Sequence, residues 1–310
     1  MTNTPIISVT NLTKTFDNFT AVSNLSFTVP ESSIYGFLGQ NGAGKSTTIR
    51  MLTTLIQPTS GSLQLFGLEL HKHAKEIIQN IGAVIERPDL YKYLTAYENV
   101  NFFARLSNTK PTRVQIMDML QLVGLADRAH SKMKTFSQGM KQRLGIATAL
   151  IHNPKLVILD EPVNGLDPQG IADIRNLILH LKNELGKTVL VSSHLLSEME
   201  MIATDLLIIN KGKKVVEGKL NELLNPNTLA VEIQVTNVAT TQNLLQQSTW
   251  SSGYVSTTGN TLVYNIPNTD VPTLNNYLVQ HQVAVLSLRP KHSLEDYFLQ
   301  LTTTPLYAAN

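Results

Sequence analysis

Apolar positions along the first two thirds of the chain alternate between a strand rhythm and a helix rhythm. Ile6–Leu12 and Leu25–Val29 carry the strand pattern. Ile34–Leu38 is a short apolar run that ends at Gly39, as a buried strand does when it enters a loop. A helix is predicted from about Gly44 to Leu55, stopped by Pro58. Ser62–Phe66 and Ile81–Ile85 read as further strands. Thr95–Leu125 has helical periodicity broken at Pro111, and another helix is predicted from about Ser137 to Ile151. Leu156–Leu159, an unbroken apolar run beside Asp160, reads as a central parallel strand. A helix near Pro168–Leu185, a strand at Thr188–Ser192, a helix at Leu195–Ala203 and a strand at Leu206–Ile209 follow. This alternation predicts an α/β domain, a largely parallel sheet covered by helices on both faces.

The pattern changes after about Gly218, where Asn, Thr and Gln become frequent and Asn225-Pro226-Asn227 reads as linker. Beyond it the chain reads strand (Val231–Val235), helix (Thr240–Gln247), strand (Tyr254–Thr258), strand (Leu262–Ile266), helix (Val271–Gln280), strand (Val283–Leu288). Thr258-Gly259-Asn260 is a hairpin-turn candidate. The order is that of a β-α-β-β-α-β unit. A last helix is expected from Ser293, with Asp296 as a capping-box analogue. The expected division is a nucleotide-binding domain over 1–218 with a helical subdomain over about 87–150, a linker over 219–229, and a small C-terminal α+β domain over 230–310.

Composition narrows the choice of chemistry. The 310 residues include no cysteine, which removes disulfides and thiolate metal sites. A formal net charge of +2 gives no electrostatic case for nucleic acid as a partner. His71 and His73 form the one close histidine pair and read as solvated surface. Met1–Pro5 lacks the basic-then-apolar pattern of a signal peptide. Nowhere do about 18 apolar residues run together, so a membrane process would need another chain to supply the membrane part.

Gly39-Gln40-Asn41-Gly42-Ala43-Gly44-Lys45-Ser46-Thr47 fits G-x-x-x-x-G-K-[ST], the P-loop. Glycines let backbone amides turn inward around phosphates, and the helix that follows aims its positive dipole end at them. Lys45 supplies a point charge for the β- and γ-phosphates. Ser46 supplies a hydroxyl for Mg²⁺, and Thr47 one for the α-phosphate. A chance match in a chain of this length is on the order of one in a hundred, and the motif lies where the mechanism needs it, between a predicted strand and a predicted helix. The strand Leu156–Leu159 ends in Asp160 and Glu161. Asp160 is placed to hold Mg²⁺, and Glu161 to polarise an attacking water as general base.

These motifs and the rest of the first two thirds resemble the ATPase subunits of ABC transporters. Phe136-Ser137-Gln138-Gly139-Met140 stands where that family has Leu-Ser-Gly-Gly-Gln, and Lys141-Gln142-Arg143-Leu144 resembles the start of the signature helix. Asn164-Gly165-Leu166-Asp167 resembles the D-loop, Val191-Ser192-Ser193-His194 the switch-histidine strand, and Phe16 the aromatic residue that stacks on adenine. The resemblance covers about Ile6–Gly218 and implies a P-loop NTPase fold with a helical signature subdomain. It implies ATP and Mg²⁺ as cofactors. It also implies a homodimer, or a pair with another ATPase subunit, in which Ser137 and Gly139 act on nucleotide held by the facing P-loop. His194 would contact the γ-phosphate and Asp167 would link the two sites.

The signature keeps only Ser137 and Gly139 of the family's five residues. The loop after Ile81–Ile85 carries Glu86 where the family has a glutamine that contacts Mg²⁺ and the membrane subunit. This combination resembles the subgroup that exports or expels antimicrobial peptides, including lantibiotic-immunity and bacitracin-resistance transporters. Ser293–Leu299 resembles the closing helix of drug- and bacitracin-resistance subunits. The implied setting is the cytoplasmic face of a membrane, beside a membrane-spanning permease. Two non-transport alternatives fit less well. Translation-associated members carry two ATPase domains per chain, and DNA-repair members insert a long coiled coil between P-loop and signature, where no sustained heptads occur here.

Overall fold

The computed structural model describes residues 5–224, 228–291 and 294. The chain divides into two compact units, Met1–Leu220 and Asn221–Asn310.

The first unit opens with a long hairpin, β1 (Ile7–Phe16) and β2 (Phe19–Val29), followed by β3 (Ile34–Leu38) and α1 (Lys45–Leu52). Next come β4 (Ser60–Leu65), β5 (Leu68–Glu69), α2 (Leu70–Ile78) and β6 (Ile81–Val84). A helical stretch follows: α3 (Ala96–Leu106), α4 (Arg113–Leu122) and α5 (Gln138–Leu150). Then β7 (Leu156–Asp160), α6 (Pro168–Asn183), β8 (Thr188–Ser193), α7 (Leu196–Ile202), β9 (Asp205–Asn210) and β10 (Lys213–Lys219) lead to the short α8 (Leu220–Leu223).

Two sheets result. One is antiparallel, in the order β2-β1-β4-β5. The other has the order β10-β9-β3-β8-β7-β6, parallel from β9 to β6 with β10 antiparallel at its edge. Every residue of β3, β7 and β8 is buried, which is why apolar residues run through them without alternation, as in Leu156–Leu159 and Val189–Val191. The consequence for function is positional. Strands β3, β7 and β8 are neighbours, so the loops leaving their C-terminal ends converge although they lie far apart in sequence.

The helical stretch is punctuated by side-chain caps. Thr95 and Glu98 form a reciprocal capping box at the start of α3, and Thr112 and Gln115 form another at α4 just after Pro111. Ser137 caps α5, its Oγ accepting from the Met140 amide at 3.3 Å. Helix α1 ends at Leu52, earlier than the expected Leu55, because the chain turns left-handed at Thr54 (φ +61), where the Thr54 amide closes on the Met51 carbonyl and the Leu55 amide on that of Arg50.

The second unit contains β11 (Thr228–Val235), α9 (Val238–Gln246), β12 (Tyr254–Thr258), β13 (Thr261–Pro267), α10 (Val271–Gln280) and β14 (Val285–Lys291). Its sheet order is β12-β13-β11-β14 with every pair antiparallel, the arrangement of a split β-α-β unit. Alternate residues of β11 and β13, among them Val231, Ile233, Leu262 and Tyr264, meet Leu245, Leu274 and Leu278 in one apolar core. Gly259, at φ +55, makes the tight β12–β13 turn. The helix expected from Ser293 with Asp296 lies outside the described residues apart from Leu294, which is buried.

Candidate active site

The loop carrying Gly39, Asn41, Gly42, Ala43 and Gly44 joins β3 to α1, with Lys45, Ser46 and Thr47 in the first turn of the helix. Gly44 adopts φ +106, and a β-carbon there would lie 2.7 Å from the Ala21 carbonyl oxygen. No L side chain fits that backbone in that space, so the turn into α1 requires glycine. Lys45 is buried beneath the loop. Its Nζ donates to the Gly39 carbonyl at 2.7 Å and reaches that of Gln40 at 3.4 Å.

Asp160 and Glu161 close β7. Asp160 is buried, and its Oδ1 accepts a hydrogen bond from Ser192 Oγ on β8. Its Oδ2 is buried with no hydrogen-bond partner among the described residues. A buried carboxylate oxygen without a donor carries a large desolvation penalty unless a cation or a proton meets it. Asp160 therefore fits the metal-holding role expected of it.

Glu161 turns out of the strand in a left-handed conformation, φ +49. Its amide donates to Ser192 Oγ at 2.9 Å and to the Ser192 carbonyl at 3.2 Å. Its carboxylate lies between a lysine and a histidine, with Oε1 3.1 Å from Lys45 Nζ and Oε2 accepting from His194 Nδ1 at 2.7 Å. The structure thus brings together residues from three adjacent strand ends: Lys45 after β3, Asp160 and Glu161 at β7, Ser192 and His194 at β8. Ser192, which touches both acids, lies in a stretch singled out in the sequence for its histidine. Its bridging role depends on β7 and β8 being adjacent, which local sequence does not reveal.

The remaining expected residues sit elsewhere on the unit. Asp167 caps α6, its Oδ1 accepting from the Gly170 amide at 2.8 Å. Gly139, in the first turn of α5, faces the same place: a β-carbon on it would lie 4.0 Å from Gly170 Cα and from Leu166 Cδ2. The signature and the D-loop are therefore side by side, and the hydrogen bond that the Ser137 hydroxyl accepts from the Met140 amide stays within its own helix cap. Phe16, at the end of β1, is 44% exposed. Glu86 follows β6 at φ +60, and its carboxylate is ion-paired with Arg50 of α1. Arg50 is a partner the sequence did not suggest. His71 and His73 lie 3.6 and 3.7 Å from the carboxylates of Glu69 and Glu76, and no cluster of three metal-ligating side chains occurs among the described residues.

The family described as ABC transporter matches residues 22–164. The chain is 40% identical over 301 residues to an uncharacterised ABC transporter ATP-binding protein, YhcH, of Bacillus subtilis, covering 96% of both chains. The chain belongs to the ABC transporter ATP-binding proteins. Among its ABC relatives, the bacitracin transport ATP-binding protein BcrA of Bacillus licheniformis is 41% identical, with 96% of this chain and 97% of the relative covered. The lantibiotic transport ATP-binding protein SrtF of Streptococcus pyogenes is 40% identical, covering 72% of this chain and 98% of the relative. Among solved ABC cassettes, a dimeric post-hydrolysis state of MJ0796 bound to ADP and Pi superimposes with TM-score 0.63 at 27% identity. That match covers 69% of this chain and 98% of that one. This ABC protein is an ATP-binding, ATP-hydrolysing cassette. No described helix is long and apolar enough to cross a membrane.

Proposed function

We propose that this ABC ATPase drives a separate membrane permease that exports or expels bacitracin-like or lantibiotic-like peptides, working as a dimer on the cytoplasmic face of the membrane. The observation that carries the cargo reading is the 41% identity to a bacitracin transport ATP-binding protein, which extends over 96% of the chain and so through both units. The match to the lantibiotic relative covers only 72% of the chain.

In this reading the amides of Gly39, Asn41, Gly42, Ala43 and Gly44 surround the phosphates. Lys45 moves its charge from Glu161 to the β- and γ-phosphates, and Thr47 bonds an α-phosphate oxygen. Glu161 orients a water for in-line attack on the γ-phosphorus and takes its proton, giving ADP and phosphate. His194, now 2.7 Å from Glu161, both steadies that carboxylate and reaches the γ-phosphate. Mg²⁺ held by Ser46 and Asp160, with Glu86 at its outer shell, would offset charge on the phosphate oxygens. Ser137 and Gly139 complete the facing subunit's site, and Asp167, beside Gly139 through α6, links the two. Phe16 stacks on the adenine.

A groove of about 330 Å³ runs beside the Glu86 loop, lined by Ile85, Arg87, Asp89, Leu90, Phe103 and Ser107. Tyr91 and Tyr93 are exposed on the same loop, at 51% and 81%. Aromatic residues presented beside a concave surface suit a protein partner, and this is where the permease would dock. The test is co-expression with the permease in a bacitracin-sensitive host, followed by challenge with bacitracin and with a lantibiotic. Protection that disappears with Glu161→Gln is the expected result. No protection against any such peptide, with ATPase activity intact, would remove the cargo assignment alone.

A further inference from the structure

Phe16 is not a bare ring. Lys14, two residues earlier on the same face of β1, holds its ammonium 4.8 Å from the centre of the Phe16 ring. The same Nζ donates to the Gln57 carbonyl at 2.8 Å, so the lysine is anchored at its tip. Lys14 is half-buried, while the phenylalanine it covers is 44% exposed. One face of the ring is therefore covered by an anchored cation, while the residue as a whole keeps substantial exposure. Across the turn the ring's strand partner is Phe19, itself 64% exposed.

We infer that Lys14 is a positioning residue for purine binding: it holds the Phe16 ring from one side and leaves the opposite face for the base. The inference rests on the reading of Phe16 as the adenine platform. Two physical effects support it. A cation over an aromatic face draws π density toward itself, which lowers the repulsion between the opposite face and an electron-rich purine. Contact with an anchored lysine also restricts the ring before the base arrives, so less freedom is lost on stacking. Neither effect involves the phosphates, which separates this role from that of a general positive charge near a polyanion.

The experiment compares binding of ATP and of inorganic tripolyphosphate by the full chain and by Lys14→Met, Lys14→Arg and Phe16→Leu, with thermal melting as a check on folding. Lys14→Met should weaken ATP about two- to fivefold, the size of a partly exposed cation–π contact. Tripolyphosphate affinity should not change, and Lys14→Arg should restore ATP binding. In a Phe16→Leu background, Lys14→Met should have no further effect. An equal loss for tripolyphosphate would make Lys14 a phosphate-attracting charge and overturn the inference, as would unchanged ATP affinity. Tighter ATP binding by Lys14→Met would show that the lysine occupies the base's own face. If Phe16→Leu alone leaves ATP binding intact, the adenine-platform reading itself fails, and the inference fails with it.

Discussion

Glu161 is held between Lys45 and His194, one carboxylate oxygen 3.1 Å from the lysine and the other 2.7 Å from the imidazole. Each of the three comes from a different strand end. In the proposed mechanism the lysine receives the phosphates and the acid a proton; the two are direct neighbours, each positioned by the other.

Lys45→Ala should abolish hydrolysis and weaken ATP binding, since it removes the buried cation under the loop. Glu161→Gln should separate the two functions. The amide keeps size and shape but accepts no proton, so nucleotide should bind while turnover stops. The variant should then accumulate as an ATP-bound dimer on size-exclusion chromatography. Phosphate release at the wild-type rate by Lys45→Ala would remove the P-loop assignment. A Glu161→Gln protein that stays monomeric in saturating MgATP, even with its permease, would count against the two-chain site.

Ser192 should matter to catalysis although it touches no expected ligand. Its hydroxyl donates to Asp160 and accepts from the Glu161 amide, so one side chain sets the spacing of both acids. Ser192→Ala should lower hydrolysis by on the order of tenfold to a hundredfold, the usual cost of a small misplacement of reacting groups. Loss of two buried hydrogen bonds should cost about 1–3 kcal/mol in stability. ATP affinity should change little, because the phosphate loop lies on β3 and α1. Wild-type turnover in Ser192→Ala would show that the acids are positioned by the backbone alone.

The sequence made the parallel core legible because β3, β7 and β8 are buried on both faces, so their apolar residues run without alternation up to the polar strand ends. The P-loop and the acid pair were legible because their chemistry constrains residues that are adjacent in sequence. Strand β10, Lys-Lys-Val-Val-Glu-Gly-Lys, was not seen, because as an antiparallel edge strand it carries charge at most positions. The first half of β2 was missed for a related reason. From Phe19 it is exposed at its start, and its pairing with β1 is interrupted by register shifts. Helix α2, Leu70–Ile78, hides among histidines and lysines and has a kink at His73. Contacts such as Ser192–Asp160, Arg50–Glu86 and Lys14–Gln57 follow from strand order and loop geometry, which local sequence does not encode.

Arg50 and Glu86 link the helix that follows the phosphate loop to the loop that borders the groove. Both side chains are substantially exposed, so their pairing contributes little to stability. Its expected role is in coupling. Glu86→Gln should leave basal hydrolysis largely intact and reduce peptide protection modestly, because an amide still bonds Arg50 but loses the charge that strengthens the contact. Glu86→Ala should uncouple protection from hydrolysis more severely. Full protection by Glu86→Ala in cells that wild type protects would exclude a coupling role.

Tyr264 places its hydroxyl in the core of the second unit with no hydrogen-bond partner among the described residues. Burial, with a smaller contribution from Tyr254, pushes its ionisation above the ordinary tyrosine range. An unpartnered buried hydroxyl is a cost, so Tyr264→Phe should stabilise this unit by up to about 1 kcal/mol. Hydrogen exchange of the β13 amides would localise the change. A loss of more than about 1 kcal/mol would mean the hydroxyl has a partner after all.

His152 gives stability a pH dependence of predictable sign. Its Nε2 hydrogen-bonds the Ile81 carbonyl at 3.0 Å, while Nδ1 is buried without a partner. Donation by Nε2–H fixes the neutral tautomer with Nδ1 as an unprotonated acceptor. Burial depresses the imidazole below its usual range, and the charge of Lys187 adds to this, while the bond to Ile81 opposes it. The unfolded chain therefore takes up this proton first, at about pH 6.5. The folded form resists protonation until lower pH, so stability is fully present above about pH 6.5 and falls as pH drops toward the folded value. His152→Gln keeps a donor for the Ile81 carbonyl without a titrating group. Denaturant unfolding from pH 7.5 to 5.5 should show wild type ahead of the variant, or level with it, at the upper end and losing ground toward the lower. Because every other titrating group is shared, the difference between the two curves isolates His152. A difference that stays constant across this range would mean His152 takes up its proton equally in both states, and the buried neutral imidazole would be wrong.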